Sequence, residues 1–266
     1  MKYWLCLLFL AGVAACHRQP YVQTNRFYKK QAKEFSKIIR QAPLKDSFYQ
    51  KRKWVGTTNF NLRKPNYVII HHTAQNSCGQ TLQTFTNTRT SVSAHYVICR
   101  DGTIHHMLND YLRAWHGGAA KWGSVTDINS SSIGIELDNN GKEPFAEAQM
   151  NSLLNLLRSL KKAYAIPTAN FIGHADVAPA RKVDPSVYFS WKSLAENGFG
   201  NWYSDTTGLP IPETFNSMEA LRLIGYNTID TIAATRAFKL HFLQDTMPGM
   251  NEAATKVLFS LYKSYQ

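Results

Sequence analysis

The chain has 266 residues, of which 44% are hydrophobic, and a formal net charge of +12. That length suits one sizeable domain plus a small module, and the apolar fraction is ordinary for a globular protein, which excludes a shortage of core-forming residues. The positive charge is concentrated. Residues 17–64 contain 13 Lys/Arg against Glu34 and Asp46, and the chain from Pro65 onward is close to neutral. This distribution argues against a basic nucleic-acid-binding surface on the later part of the chain.

The first residues have the pattern of a secretory signal peptide. Lys2 supplies a positive start, residues 4–13 are apolar, and small residues follow up to Cys16. The segment is too short to cross a bilayer as a stable helix, so we predict a signal peptide over residues 1–15. A cysteine directly after small residues resembles a bacterial lipobox, which would make Cys16 the lipidated first residue of the mature protein and attach it to a membrane. An ordinary cleaved signal beside a chance cysteine is the alternative.

Residues 16–62 are predicted to form a basic tether. A polybasic segment beside an acyl chain is a second membrane-attachment signal; a solvated tether is the alternative. Within it, Phe27, Phe35, Ile38 and Ile39 lie loosely at helical spacing, which fits either a short amphipathic helix or a linker.

Loss of the signal peptide and lipidation of Cys16 would leave two cysteines, Cys78 and Cys99, in an oxidising compartment. Both a disulfide and two free thiols are compatible with the sequence, because it does not give their Cα separation. Neither cysteine lies in a Cys/His cluster typical of a metal site.

The region after residue 63 contains several short apolar runs. These runs predict strands: residues 67–70, 94–100, 103–108, 132–137 and 171–174. Two further stretches predict helices: residues 81–90 and 144–165. The Asp101-Gly102 pair predicts a two-residue hairpin. The predicted fold class is α/β, with a mixed central β-sheet of about five strands flanked by helices.

Residues 205–212 are rich in Pro and Gly and predict a linker. Three short helices are expected beyond it, with Asn216 and Asn251 as N-caps and Gly225 as a stop. A bundle of about 60 residues is small but stable when docked. The predicted division is a signal peptide (1–15), a basic tether (16–62), a main domain (63–204) and a C-terminal three-helix domain (205–266).

His174 at a strand end and Asp184 in the following loop, with the cation of Lys182 between them, suggest half of a metal site. Two protein ligands are too few for a catalytic zinc ion, which usually keeps three and leaves the fourth position to water. The end of another buried strand supplies His71 and His72. Because successive strand side chains point to opposite faces, only one of the two joins a given site.

Glu136 lies in an apolar run and needs a reason to be buried. Burying an unpaired charge is costly, and apolar surroundings raise a carboxyl pKa towards the value useful for a general acid or base. A strand-end Glu that hydrogen-bonds a loop is the alternative. With zinc to acidify water and polarise a carbonyl, Glu136 would pass a proton to a leaving nitrogen and Lys182 would stabilise the oxyanion. Amide hydrolysis fits this set best.

Five motifs carry a resemblance to a known family: Ile70-His-His-Thr-Ala74, Ser93-Ala-His-Tyr96, Ala114-Trp-His-Gly117, Ser132-Ile-Gly-Ile-Glu-Leu137 and Gly173-His-Ala-Asp-Val-Ala-Pro-Ala-Arg-Lys-Val-Asp-Pro185. In this order they resemble the zinc-dependent N-acetylmuramoyl-L-alanine amidases of type 2, in the outer-membrane lipoprotein form with a C-terminal peptidoglycan-binding-like module. The resemblance covers about residues 63–202. It implies a mixed sheet with flanking helices, and cleavage of the amide between N-acetylmuramic acid (or its anhydro form) and L-Ala in peptidoglycan.

The resemblance also implies roles for individual residues. Matched by motif, the zinc ligands are His71 and not His72, with His174 and Asp184; the catalytic glutamate is Glu136 and the oxyanion lysine Lys182. One departure from the family lies at Ser186, where relatives of this branch commonly have Gly after Asp-Pro. A backbone that needs φ > 0 there would be strained by Ser.

Three further residues are predicted to bind substrate: His95, Trp115 and His116. For His95, at the start of a strand, a structural role is the alternative. The other histidines and tryptophans receive structural or incidental roles, with His17 and His241 incidental and Trp191 and Trp202 in packing.

The leading hypothesis is a monomeric zinc amidase on the periplasmic face of the outer membrane, anchored through Cys16 and acting on peptidoglycan or muropeptides. A non-catalytic peptidoglycan-binding protein is the first alternative, disfavoured because all five ligand and catalytic positions are filled. A basic metal-dependent nuclease is the second. It is disfavoured because the positive charge lies in the tether and not around the ligands, so no nucleic-acid partner is expected.

Overall fold

The computed structural model describes residues 20–40, 57–59, 61–62 and 64–265. Two compact units are distinguished, residues 1–60 and 61–266. The predicted signal peptide, Cys16 and much of the basic tether lie outside the described residues. Within the described ranges, no helix is both long enough and apolar enough to cross a membrane.

One helix, α1 (Val22–Ile39), occupies most of the described part of the first unit. The helix that the spacing of apolar residues allowed is therefore present. Phe27, Phe35 and Ile38 lie eight and three residues apart and share one side of it, while Lys33 and Lys37 lie on the other. No residue of α1 is buried.

The second unit alternates strands and helices. Its strands are β1 (Tyr67–His72), β2 (Tyr96–Ile98), β3 (Ile104–His106), β4 (Ser132–Leu137) and β5 (Phe171–Gly173). Its α-helices within the described residues are α2 (Cys78–Thr86), α3 (Ile128–Ser131), α4 (Glu147–Tyr164), α5 (His174–Val177), α6 (Trp191–Glu196), α7 (Ser217–Ile224), α8 (Thr231–Leu243) and α9 (Glu252–Ser264).

The five strands form one mixed sheet, as the sequence predicted, and their order is β3-β2-β4-β1-β5. Every neighbouring pair is parallel except β2 with β3. In the register of β1 with β4, His71 stands beside Glu136, and Ile70 stands beside Gly173 of β5. The carboxyl ends of β1, β4 and β5 therefore meet at one edge of the sheet, where open α/β sheets bind their ligands.

The hairpin between β2 and β3 is present, but its predicted two-residue turn is wrong. The backbone N–H of Cys99 donates to the carbonyl oxygen of Thr103 at 2.9 Å, which closes a three-residue loop. Gly102 ends that loop at φ 87°, the left-handed conformation that three-residue hairpin loops place on glycine.

Helix α2 begins and ends earlier than the predicted range of 81–90. Ser77 caps it, because its side chain accepts a hydrogen bond from the backbone N–H of Gln80 at 3.2 Å, and this fixes the start at Cys78. Cys78 forms a disulfide with Cys99, whose Cα lies 5.4 Å away. Of the two alternatives for these cysteines, the structure contains the disulfide.

One face of the sheet is covered by the amphipathic helix α4. Val68 and Ile70 of β1 pack in one apolar cluster with Leu153 and Leu157 of α4 and with Trp191 of α6. The predicted stripe of α4 and the packing role of Trp191 are confirmed.

Three helices follow the linker, as predicted. Asn216 and Asn251 accept N-cap hydrogen bonds from the first turns of α7 and α9. Gly225 ends α7 at φ 135°, and a Cβ on it would overlap the ring of Trp122. Glycine is required there for both reasons.

These C-terminal helices cover the other face of the sheet. Ile69 and Ile172 of the strands belong to one buried cluster with Leu221 of α7, Phe238 of α8 and Leu258 of α9. The boundary predicted at residue 204 therefore does not separate two cores. The helices are a layer of the same compact unit, and their apolar faces complete the core on that side.

Candidate metal and catalytic site

Three side chains predicted as ligands meet at the carboxyl edge of the sheet. Nδ1 of His71 lies 2.9 Å from Nδ1 of His174, and both atoms lie 3.1 Å from Oδ2 of Asp184. All three residues are buried. The structure thus brings together residues that are up to 113 positions apart in the chain.

Local structure explains how each residue reaches this point. His71 precedes the last residue of β1, and His174 begins α5 directly after β5. The loop that carries Asp184 is tied back to α5, because the backbone N–H of Ala175 donates to the carbonyl oxygen of Asp184 at 2.7 Å. Strand ends and one short loop therefore hold the three donors.

His72 points away from this group, as strand alternation predicted. Its Nδ1 accepts a hydrogen bond from the backbone N–H of Ser186 at 3.1 Å. Ser186 is not among the residues with positive φ, so serine in place of the family's glycine causes no backbone strain here.

Glu136 lies beside the donors and is 8% exposed. Its Oε1 is 4.0 Å from Nδ1 of His71. Burial, aided by the negative charge of Asp184 and opposed by the positive charge of Lys182, raises the pKa of Glu136 to about 8. Burial, followed by the proximity of His174, lowers the pKa of His71 to about 4, so its imidazole is neutral at pH 7.

A cleft of about 450 Å³ opens over these groups. Its lining includes Glu136, His174 and Asp184 together with Lys182, so the structure places the predicted cation at the same cleft as the predicted acid-base group. Phe85 of α2 also lines the cleft.

The two residues predicted from the Trp-His-Gly motif also reach the cleft. Trp115 lines it and is 53% exposed, as expected for a side chain available to a ligand. His116 lines it as well but is buried, and its Nδ1 lies 3.0 Å from Nε2 of His71. His116 therefore contacts His71, one of the three candidate metal ligands.

The predicted substrate contact of His95 is wrong. Its side chain has no exposed surface. Nε2 of His95 lies 3.0 Å from the carbonyl oxygen of Leu112, and Nδ1 accepts from the backbone N–H of Gly134 at 3.0 Å. The structural alternative holds, because both ring nitrogens bond to backbone groups inside the fold.

Sequence reasoning also missed a buried cluster behind the site. The prediction that His241 is incidental is wrong, because its Nδ1 lies 2.8 Å from Oδ2 of Asp176 and its ring stacks on Trp191 at a centroid distance of 4.0 Å. Tyr226 donates to Oδ1 of the same carboxylate at 2.7 Å. A signal was available: an Asp in the second position after His174, within an apolar helix turn, needs partners from elsewhere.

The site has the architecture of a hydrolase built on a mixed α/β sheet, and comparisons with known proteins agree. Residues 61–187 match the family of N-acetylmuramoyl-L-alanine amidases. The N-acetylmuramoyl-L-alanine amidase AmiD of Escherichia coli K12 is 30% identical over 222 residues, which cover 72% of this chain and 79% of AmiD. The 1,6-anhydro-N-acetylmuramyl-L-alanine amidase AmpD of Haemophilus influenzae is 40% identical over 102 residues, which cover 38% of this chain and 55% of AmpD.

Solved structures show the same relationship. The E. coli AmiD complex with anhydro-N-acetylmuramic acid-L-Ala-D-γ-Glu-L-Lys has a TM-score of 0.69 at 26% identity, covering 79% of this chain and 93% of that one. AmpDh3 of Pseudomonas aeruginosa has a TM-score of 0.70 at 26% identity, and the match covers 81% of this chain and 97% of AmpDh3. The chain belongs to the N-acetylmuramoyl-L-alanine amidase family, and the predicted fold and enzyme class are confirmed.

Proposed function

We propose that this protein uses a zinc ion held by His71, His174 and Asp184 to hydrolyse the amide between N-acetylmuramic acid, or its anhydro form, and L-Ala in peptidoglycan. The observation that carries the proposal is the convergence of three donor atoms, 2.9–3.1 Å apart, beside a cleft that His174 and Asp184 line. Family membership supports the reaction, and the AmiD complex with a muropeptide substrate supports the substrate class.

The donor set fits zinc. Two imidazole nitrogens and one carboxylate oxygen are common ligands of catalytic zinc, which leaves a further position open. Donors at these separations share a point about 2 Å from each of them, the distance that Zn–N and Zn–O bonds require. When bound, zinc lowers the pKa of water and polarises a carbonyl oxygen.

Glu136 is the proposed proton carrier. Burial raises its pKa to about 8, and beside a divalent cation that pKa would fall towards neutrality. A carboxyl group in that range accepts a proton from the attacking water and returns it to the leaving nitrogen of L-Ala. The side chain lies in the lining of the cleft, where the scissile amide would have to bind.

Lys182 and Trp115 are assigned the remaining roles at the cleft. Lys182 supplies a positive charge for the oxyanion that develops on the amide carbonyl oxygen. Trp115 offers an exposed aromatic surface to the sugar or the stem peptide, since it lines the cleft while remaining half exposed.

A non-catalytic peptidoglycan-binding protein is the competing function. The two are separated by mass spectrometry of purified muropeptides, with normal and anhydro ends, after incubation with the protein with and without a chelator. The amidase predicts release of a peptide that begins with L-Ala, its loss with chelator and its return with added zinc. If the muropeptides stayed intact in zinc-containing buffer, the amidase function would be refuted and the non-catalytic binding function would be supported.

We also propose that the mature chain begins at an acylated Cys16 and lies on the periplasmic face of the outer membrane. The pattern of residues 1–16 supports the anchor, and the separate basic and apolar sides of α1 support a second contact with anionic lipid. Labelling cells with a tagged palmitate should mark the wild-type protein and not Cys16→Ala. An unlabelled wild-type protein would support the alternative of an ordinary cleaved signal.

A further inference from the structure

His71 and His174 each have a second ring nitrogen, Nε2, that does not face the three-donor centre. Both Nε2 atoms contact the same short loop. This loop, residues 115–119, lies between β3 and α3 in the chain. Nε2 of His71 lies 3.0 Å from Nδ1 of His116 in this loop. Nε2 of His174 lies 3.1 Å from the carbonyl oxygen of Gly117. The reaction proposed above assigns no role to either contact.

The position of one proton can be followed along the first contact. The hydroxyl of Ser132 donates its single proton to the carbonyl oxygen of Ile128, at 2.6 Å. Towards Nε2 of His116, 3.2 Å away, the same oxygen can therefore only accept, so Nε2 of His116 carries a proton. A neutral imidazole protonated at Nε2 has a bare Nδ1. His71 must then donate from its own Nε2.

This assignment leaves Nδ1 of His71 bare and facing His174 and Asp184. The second contact has a similar consequence. A carbonyl oxygen has no proton to give, so His174 donates to Gly117 from Nε2, and its Nδ1 is the nitrogen that faces the centre. The loop thus selects, for both histidines, the nitrogen that a metal ion would need.

The loop is itself held from three directions. Oδ1 of Asn129 accepts from the backbone N–H groups of His116 and Gly117, at 3.1 and 2.8 Å. Arg181 donates to the carbonyl oxygen of Gly117 at 3.0 Å. The His116 ring lies against Gly134 of β4, where a Cβ would overlap it.

We infer that His116 is a positioning residue, which fixes the proton of His71 on Nε2 and so presents a bare Nδ1 to the metal, and that residues 115–119 act as one frame for both histidine ligands. The inference rests on the proposed function, since it requires a metal at the three donors. Partners of this kind that orient ligating histidines commonly change metal affinity by about 10–100-fold when removed.

The test compares two substitutions at one position. His116→Phe keeps a ring of similar size and removes the acceptor, whereas His116→Asn places an amide oxygen near the site of Nδ1 and retains it. Zinc affinity is measured by competition with a chromogenic chelator. The protonated nitrogen of His71 is identified by ¹⁵N NMR of histidine-labelled, metal-free protein. We expect a loss of about 10–100-fold for His116→Phe, substantial recovery for His116→Asn, and an Nε2–H form of His71 in the wild type and in His116→Asn.

A matched control is His241→Phe, which also alters a buried histidine but one whose Nδ1 lies 2.8 Å from Oδ2 of Asp176 and not beside a candidate metal ligand. It should lower the thermal midpoint and leave the zinc affinity of the folded protein unchanged. Should His116→Phe fail to fold, Ser132→Ala removes the acceptor for His116 Nε2 together with the hydrogen bond to the Ile128 carbonyl oxygen, and the ¹⁵N spectrum of His71 should then lose its single Nε2–H form.

Two outcomes would overturn the inference while the proposed function stands. One is wild-type zinc affinity in His116→Phe; the other is a wild-type His71 protonated at Nδ1 in the metal-free protein. If the wild-type protein itself neither bound zinc nor cleaved muropeptides, the proposed function would fail, and that result is visible before any variant is made.

Discussion

Helix α5 separates two buried clusters of histidine and carboxylate that differ in one respect. On one side His174 meets His71 and Asp184 beside the cleft. On the other, Asp176 receives hydrogen bonds at 2.7 Å from the Tyr226 hydroxyl and at 2.7 Å from the Gly173 backbone N–H, and lies 2.8 Å from His241. Both clusters combine buried residues that are far apart in sequence.

The difference lies in how the polar atoms are used. Each carboxylate oxygen of Asp176 has a partner within the protein, so this cluster is complete and joins the C-terminal helices to the sheet. In the cleft cluster, donor atoms suited to a metal point at one another across about 3 Å. A closed network indicates stability, and converging lone pairs beside a cleft indicate a ligand.

The largest effect is expected when the cleft cluster loses its carboxylate. Asp184→Ala should abolish stoichiometric zinc binding and reduce muropeptide cleavage to background, because two imidazoles remain where a catalytic zinc ion needs three protein ligands. Metal content by inductively coupled plasma mass spectrometry and cleavage by chromatography measure the two losses. Zinc retained at one equivalent would remove Asp184 from the ligand set.

Removing the proton carrier should separate metal binding from chemistry. Glu136→Gln keeps the size of the side chain and should keep zinc, while turnover falls by about 10²–10⁴-fold, the usual contribution of a general acid-base group. Turnover within a few-fold of the wild type would show that another group moves the proton.

The complete cluster should respond in the opposite way. Asp176→Ala breaks a buried pair and should lower the free energy of unfolding by about 3 kcal/mol, a larger loss than Asp184→Ala causes in metal-free protein. Chemical denaturation measures this, and zinc content of the folded fraction is the control. If Asp176→Ala released zinc without loss of stability, the distinction between the two clusters would be wrong.

The smallest effect concerns the C-terminal layer. Deletion of this layer would expose Ile69 and Ile172, so its role in wall binding is better tested at its surface. Ile229 and Ile232 are 88% and 66% exposed, and the double substitution to Ser should weaken retention on insoluble peptidoglycan by a few-fold without changing cleavage of soluble muropeptides. Ile104→Ser, at an exposed position on β3, is the matched control. If both variants were retained equally, Ile229 and Ile232 would not be part of a wall-binding surface.

Much of the site could be predicted because its residues stand at the ends of apolar runs. His71, His174 and Glu136 each lie in or directly after a buried strand, and parallel strands align their carboxyl ends. The choice between His71 and His72 needed the family motif, since alternation shows only that the two point to opposite faces.

The rest depends on contacts that no local pattern contains. His95 and His116 lie in similar motifs, and only the packed structure shows that one bonds to backbone groups while the other reaches His71. The role of His241 required Asp176 from a different helix. The apolar faces of α7 to α9 gave no sign of whether they pack on one another or on the sheet, because the amphipathic pattern is the same in both cases.

The in-register pairing of His71 with Glu136 has a consequence for variation in this protein. Moving either strand by one residue would turn its side chains to the opposite face, so a single insertion in β1 or β4 would send the ligand or the proton carrier into the hydrophobic layer. Length changes should be tolerated only outside these strands, for instance in the exposed turn around Lys142. The register between β1 and β4 thus sets the distance between the candidate metal ligand His71 and the proposed proton carrier Glu136.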